Sequence, residues 1–192
     1  MKDLKPESPD SDDILIGRCR TAQPAINHSQ KSDAISAEQD FRGITGMKVY
    51  LDNCCFNRPY DNQNQLSVKL ETEAKLSIQE MIKDKKLFLI WSFMLDYENS
   101  ANTGKSKKES IYEWYNYAQE HVPFQLAIFQ LAQKNVLHGF GKKDSIHLAC
   151  AVIGKCEYFI TVDKGILNKS SKIKKIKILD PISFIRLLEE KS

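Results

Sequence analysis

The rhythm of apolar and polar positions changes at Met47. From there onward, short apolar runs of strand length alternate with stretches whose apolar residues recur every three or four positions. Residues 48–51 (KVYL) form the first run and end at Asp52. Residues 53–61 (NCCFNRPYD) read as a loop, with Arg58-Pro59 as a breaker. In 66–82 the apolar positions Leu66, Leu70, Ala74, Ile78, Met81 and Ile82 follow a period near 3.6, which predicts an amphipathic helix. The charged run 83–86 closes it. Residues 87–91 (LFLIW) are apolar without interruption, as a central parallel strand requires. Ser92 is a candidate N-cap for a helix carrying Met94, Leu95, Tyr97 and Glu98.

The second half continues the alternation. A helix is predicted over 106–118, with Tyr112, Trp114 and Tyr115 on one face, and His121-Val122-Pro123 breaks it. An apolar helix follows over 124–137. The next helix opens at Asp144 and closes at Gly154, and 158–162 (YFITV) is a β-rich run followed by Asp163. A helical turn over 164–168, a strand over 176–179 stopped by Asp180-Pro181, and a helix over 182–190 complete the chain. No two strands are joined by a hairpin signal. The order predicts an α/β fold with a parallel sheet covered by helices on both faces, a three-layer α/β/α arrangement.

Residues 1–46 depart from this pattern. They are rich in Ser, Asp, Pro, Gln and Asn, and 14–16 (ILI) is their one short apolar cluster. So little apolar surface does not offset the entropy of ordering the chain, so a disordered extension is expected. An over-long gene start, with Met47 as the true first residue, explains the same composition break. The extension carries 6 Lys+Arg against 8 Asp+Glu, and residues 47–192 carry 22 against 17. A mildly basic body suits a polyanionic partner, and the acidic extension folding back over it is a further expectation. Five cysteines without a CxxC pair argue for a reducing cytoplasm and against a zinc site. No apolar run has the length of a membrane helix. There is no glycine-rich phosphate loop and no GxSxG elbow, which disfavours nucleotide and serine-hydrolase chemistry.

Four carboxylates stand out by position. Asp52 ends the first strand, Glu98 lies one to two turns into the helix after the second, Asp144 opens a helix, and Asp163 follows the third strong strand. In an open parallel sheet, ligands bind beyond the carboxyl ends of the strands. Four anions gathered there need compensation, and Mg2+ or Mn2+ supplies it through oxygen ligands. One or two such ions would activate a water against a phosphodiester. Each residue also has an ordinary reading: a turn residue at Asp52, a helix cap at Asp144 and at Asp163, a surface position at Glu98. Asp96 competes with Glu98 on another helix face. His147, one turn after Asp144, reads as a packing histidine that could approach the site.

The chain from Met47 onward resembles the PIN-domain family of metal-dependent ribonucleases, including the VapC type of toxin. The matching segments are MKVYLDNCCFNRP with Asp52, SFMLDYEN with Glu98, KKDSIHLACA with Asp144 and YFITVDKGIL with Asp163. The resemblance implies a PIN-like fold over 47–192 and hydrolysis of RNA with bound Mg2+ or Mn2+. It implies Asp52, Glu98, Asp144 and Asp163 as the catalytic, metal-holding quartet. Thr161 resembles the hydroxyl that orients such a site, with Asn53 and Ser92 as supporting residues. Arg58, Lys142 and Lys143 are candidates for contact with the RNA backbone. The resemblance further implies a small antitoxin partner, and exposed apolar positions on the helices at 106–137 offer a homodimer face. A non-catalytic RNA- or protein-binding module on the same fold, and a nuclease acting on DNA, are the competing readings.

Overall fold

A computed structural model describes residues 46–191. The expectations for the N-terminal extension, its disorder and its folding back over the body, lie outside these residues. The five strands are β1 (Met47–Leu51), β2 (Leu87–Ser92), β3 (Glu120–Val122), β4 (Tyr158–Ile160) and β5 (Lys177–Leu179). They form one parallel sheet in the order β3-β2-β1-β4-β5. The chain therefore builds outward from β1 on one side, then crosses to build outward on the other. That reversal places a topological switch point at the carboxyl end of β1, the position where parallel sheets open a crevice.

Eight α-helices accompany the strands among the described residues. They are α1 (Asn53–Asn57), α2 (Leu66–Lys83), α3 (Phe93–Ser100), α4 (Lys105–Tyr112), α5 (Leu126–Leu137), α6 (Lys142–Ile153), α7 (Lys164–Leu167) and α8 (Pro181–Glu189). Strand alternation divides them between two faces. Tyr158, paired with Val49 across the sheet, turns its ring onto Phe184 of α8. α8 in turn packs on α2. Tyr50 and Phe159, in register with each other, stack on the opposite face at 5.4 Å. Tyr50 reaches His147 of α6 there, and α6 packs on α5. With helices on both faces, β1 and β4 bury almost every side chain they carry. This is the expected three-layer arrangement. Gly154, after α6, permits its close approach to the sheet: a Cβ there would stand 2.7 Å from Ile90 Cγ2.

Several local expectations are corrected. The stretch 53–61 is not a loop but α1 followed by a 3-10 turn at Arg58–Tyr60, because burial of Cys55 and Phe56 draws the chain onto the core. β3 was not legible: three residues on an edge carry no periodicity, and Pro123 read as a simple breaker. Its ladder with β2 pairs Trp91 with His121. The helix expected over 106–118 is α4 and then a 3-10 segment, Glu113–Tyr117. Ser92 precedes α3 without capping it; its hydroxyl instead meets Tyr50.

Candidate metal centre

Asp52 leaves β1 at the switch point, only 6% exposed. Its Oδ2 accepts the Thr161 hydroxyl at 2.8 Å and the Cys54 thiol at 3.1 Å. Thr161 follows β4, so the neighbouring strand fixes the carboxylate in place, and the same hydroxyl accepts the Asp163 backbone N–H. The neighbouring Cys55 thiol first, then burial and the Asp52 charge, push the Cys54 thiol well up, so it stands as a donor and not as a thiolate.

Glu98 reaches the same place from α3. Its carboxylate lies 3.2 Å from His147 Nε2 and 3.7 Å from Lys143 Nζ. Burial works against its ionisation, but His147, Lys143 and Asn53 outweigh that and hold its pKa below the usual value. Asp96 is settled differently: its Oδ1 accepts the Trp91 indole N–H at 2.8 Å, and burial raises its pKa. Two residues along the helix, it points to another neighbour entirely.

His147 is the residue the sequence undervalued. It is 2% exposed and sits between Tyr50, whose hydroxyl is 2.7 Å from Nδ1, and Glu98. The Glu98 contact is an ion-pair distance without the alignment of a hydrogen bond, and among the described residues Nε2 has no hydrogen-bond partner. Burial opposes a charged imidazole, yet Glu98, Asp52 and Asp144 together raise its pKa above the ordinary histidine value. Asp52, Glu98 and His147 each offer one ligand atom, and these atoms lie within 4.8 Å of one another. That set of two oxygens and a nitrogen fits a divalent cation, and the orphaned Nε2 is the observation that favours the fit. The one sequence clue was spacing: His147 is three residues beyond Asp144, on the same helix face.

Asp144 and Asp163 are not members of this three-residue group. Asp144 is the third residue of α6 and reaches back to the Gly141 backbone N–H, as a capping residue does. Burial first, then the charges of Asp52 and Asp163, raise its pKa, so it shares the electrostatic field of the crevice. Asp163 caps α7: its Oδ1 accepts from Gly165 N at 2.6 Å and Ile166 N at 3.2 Å. It also borders an open pocket of about 460 Å³ shared with Cys54, Arg58 and Lys164. Asn53 is buried with its Oδ1 unpartnered. Arg58 is held by Asp61 at 2.9 Å and Glu71 at 3.1 Å, which compensates its charge. Lys142 and Lys143 stand exposed at the start of α6.

The fold and this crevice define a parallel α/β protein with a carboxylate-and-imidazole cluster at its switch point. No protein-family model matches the chain, and no curated protein matches its sequence. Among solved structures it is similar to the crystal structure of VapBC2 from Rickettsia felis bound to a DNA fragment from their promoter. That match has 14% identity and a TM-score of 0.44, covering 70% of this chain and 98% of that chain.

Proposed function

We propose that the chain is a metal-dependent endoribonuclease that hydrolyses RNA phosphodiester bonds, and that it is the toxin of a toxin–antitoxin pair. The observation that carries the reading is the convergence of Asp52, from the exit of β1, and Glu98, from α3, on one crevice with His147. Its second support is the motif resemblance over 47–192. Asp52 and Glu98 would hold the cation, Mg2+ or Mn2+, with Asp144 and Asp163 at the rim completing the acidic quartet. When bound, the cation polarises a phosphoryl oxygen and lowers the pKa of a water at neutral pH.

The chain's own residues do the rest. Thr161 fixes the Asp52 carboxylate through its hydroxyl, which keeps that oxygen from turning away. Asp144, its pKa raised by burial and by the neighbouring carboxylates, is the member of the quartet proposed to exchange a proton. Asp163, committed to its cap through Oδ1, positions the α7 turn beside the pocket. Lys142 and Lys143 would bear the phosphate backbone by charge. Arg58, held by two carboxylates, is better suited to shaping the pocket wall than to binding phosphate.

Among the described residues no helix is long and apolar enough to cross a membrane. Leu126 and Leu137 are 68% and 87% exposed, three turns apart on one face of α5, and support a contact with a second copy or an antitoxin. The test is direct. Purified protein with Mn2+ or Mg2+ cuts RNA, and EDTA or Asp144→Asn stops it with the circular dichroism unchanged. Cleavage that survives both overturns the assignment, and a parallel DNA substrate separates the two nuclease readings.

A further inference from the structure

We propose that His147 is itself a metal ligand through a bare Nε2, and that the Tyr50 and Ser92 hydroxyls set the tautomer that leaves this nitrogen bare. The inference rests on the metal-dependent reading above and goes past it, because the acidic quartet contains no nitrogen ligand. Its starting point is a buried ring nitrogen without a hydrogen-bond partner, facing two carboxylates. Three electron-pair donors turned toward one another repel unless something positive stands between them.

The other ring nitrogen supplies the mechanism. Nδ1 lies 2.7 Å from the Tyr50 hydroxyl, which lies 2.6 Å from Ser92 Oγ. A hydroxyl accepts and donates at once. In the proposed tautomer Nδ1–H donates to Tyr50, Tyr50 donates to Ser92, and Nε2 keeps its lone pair. A metal-bound histidine uses this arrangement, with the ring's remote N–H held by an acceptor. Both hydroxyls are buried in the sheet, Tyr50 stacked on Phe159, so neither is free to reorient toward water. Imidazole favours later transition metals over Mg2+, so the site prefers Mn2+ to Mg2+ more than an all-oxygen site would.

The competing reading is a histidinium that only neutralises Glu98. Pulsed electron paramagnetic resonance on Mn2+ bound to the full chain separates the two, because a ligating imidazole gives a nitrogen hyperfine coupling and a counter-ion does not. The coupling is expected in the wild type and absent in His147→Gln. Tyr50→Phe keeps the ring packing and is expected to weaken Mn2+ binding about 10–100-fold in calorimetric titration. Mn2+ that binds the wild type without nitrogen coupling, or a coupling that persists in His147→Gln, overturns the proposal and leaves the metal reading standing. A wild-type protein that binds no Mn2+ at all overturns both.

Discussion

Removing the Asp52 charge should uncouple the protein's stability from divalent cations. Asp52 and Glu98 present ligand oxygens within 4.8 Å of each other in a crevice largely shielded from water. At an effective dielectric constant near 20, two unit charges at that distance repel by roughly 3.5 kcal/mol. His147 and Lys143 offset part of this. A cation between the carboxylates offsets the remainder, so binding is linked to folding. At about 100 times its dissociation constant, a ligand of the native state alone adds about 2.7 kcal/mol. For a domain of this size that is a rise in Tm of about 10 °C. Asp52→Asn isolates the charge cleanly. Both hydrogen bonds to Asp52, from Thr161 and Cys54, land on Oδ2, so an amide oxygen in the same place accepts both. Differential scanning calorimetry with EDTA and then with Mn2+ reads the effect. The wild type should gain the full shift and the variant only a small fraction of it. A wild-type Tm indifferent to Mn2+, or an equal shift in Asp52→Asn, would refute the linkage.

Three further outcomes follow from particular contacts. Glu98→Gln should abolish Mn2+ binding and RNA cleavage, whereas Asp96→Ala should leave both intact. The Asp96 change costs about 1–3 kcal/mol in denaturant titration, because the buried Trp91 indole N–H loses its acceptor. Lys75 is 4% exposed in α2, near the Phe56 ring, and burial lowers its pKa to about 8. The folded state therefore releases a proton that the unfolded state still holds between about pH 8 and 10.5, so stability should rise with pH through that window. Lys75→Met should add on the order of 1–3 kcal/mol near neutral pH and gain little at the alkaline end. Gly154→Ala should destabilise by about 1–3 kcal/mol in urea unfolding, since its methyl would meet Ile90 at 2.7 Å and Val122 at 3.2 Å.

The centre of the sheet was legible because β1, β2 and β4 are buried on both faces. LFLIW and KVYL admit few other readings once helical periods flank them, and the absence of hairpin signals made the sheet parallel. β3 escaped because an edge strand of three residues needs only its neighbour's backbone, not a pattern of its own. The short helix α1 escaped because its order comes from Cys55 and Phe56 packing inward, a tertiary effect that a breaker such as Arg58-Pro59 conceals. At the site, the structure brings Asp52, from the end of β1, and Glu98, from α3, within ligand reach of each other. Asp163 does cap its helix through two backbone N–H groups, whereas Asp144 lies a turn inside a helix that opens at Lys142, with Gly141 at the cap, and reaches back to that one backbone group. His147 was undervalued because its meaning depends on Tyr50, which is 97 positions away in sequence and meets it only across the sheet. Spacing on one helix cannot report a hydrogen bond that β1 supplies.

The central claim is that Asp52 and Glu98 share a divalent cation. It is tested most directly by anomalous diffraction at the manganese edge from crystals soaked in Mn2+. The account predicts a single strong peak between the Asp52 and Glu98 carboxylates, against His147 Nε2. An empty crevice under saturating Mn2+, or a peak seated elsewhere on the molecule, would contradict it.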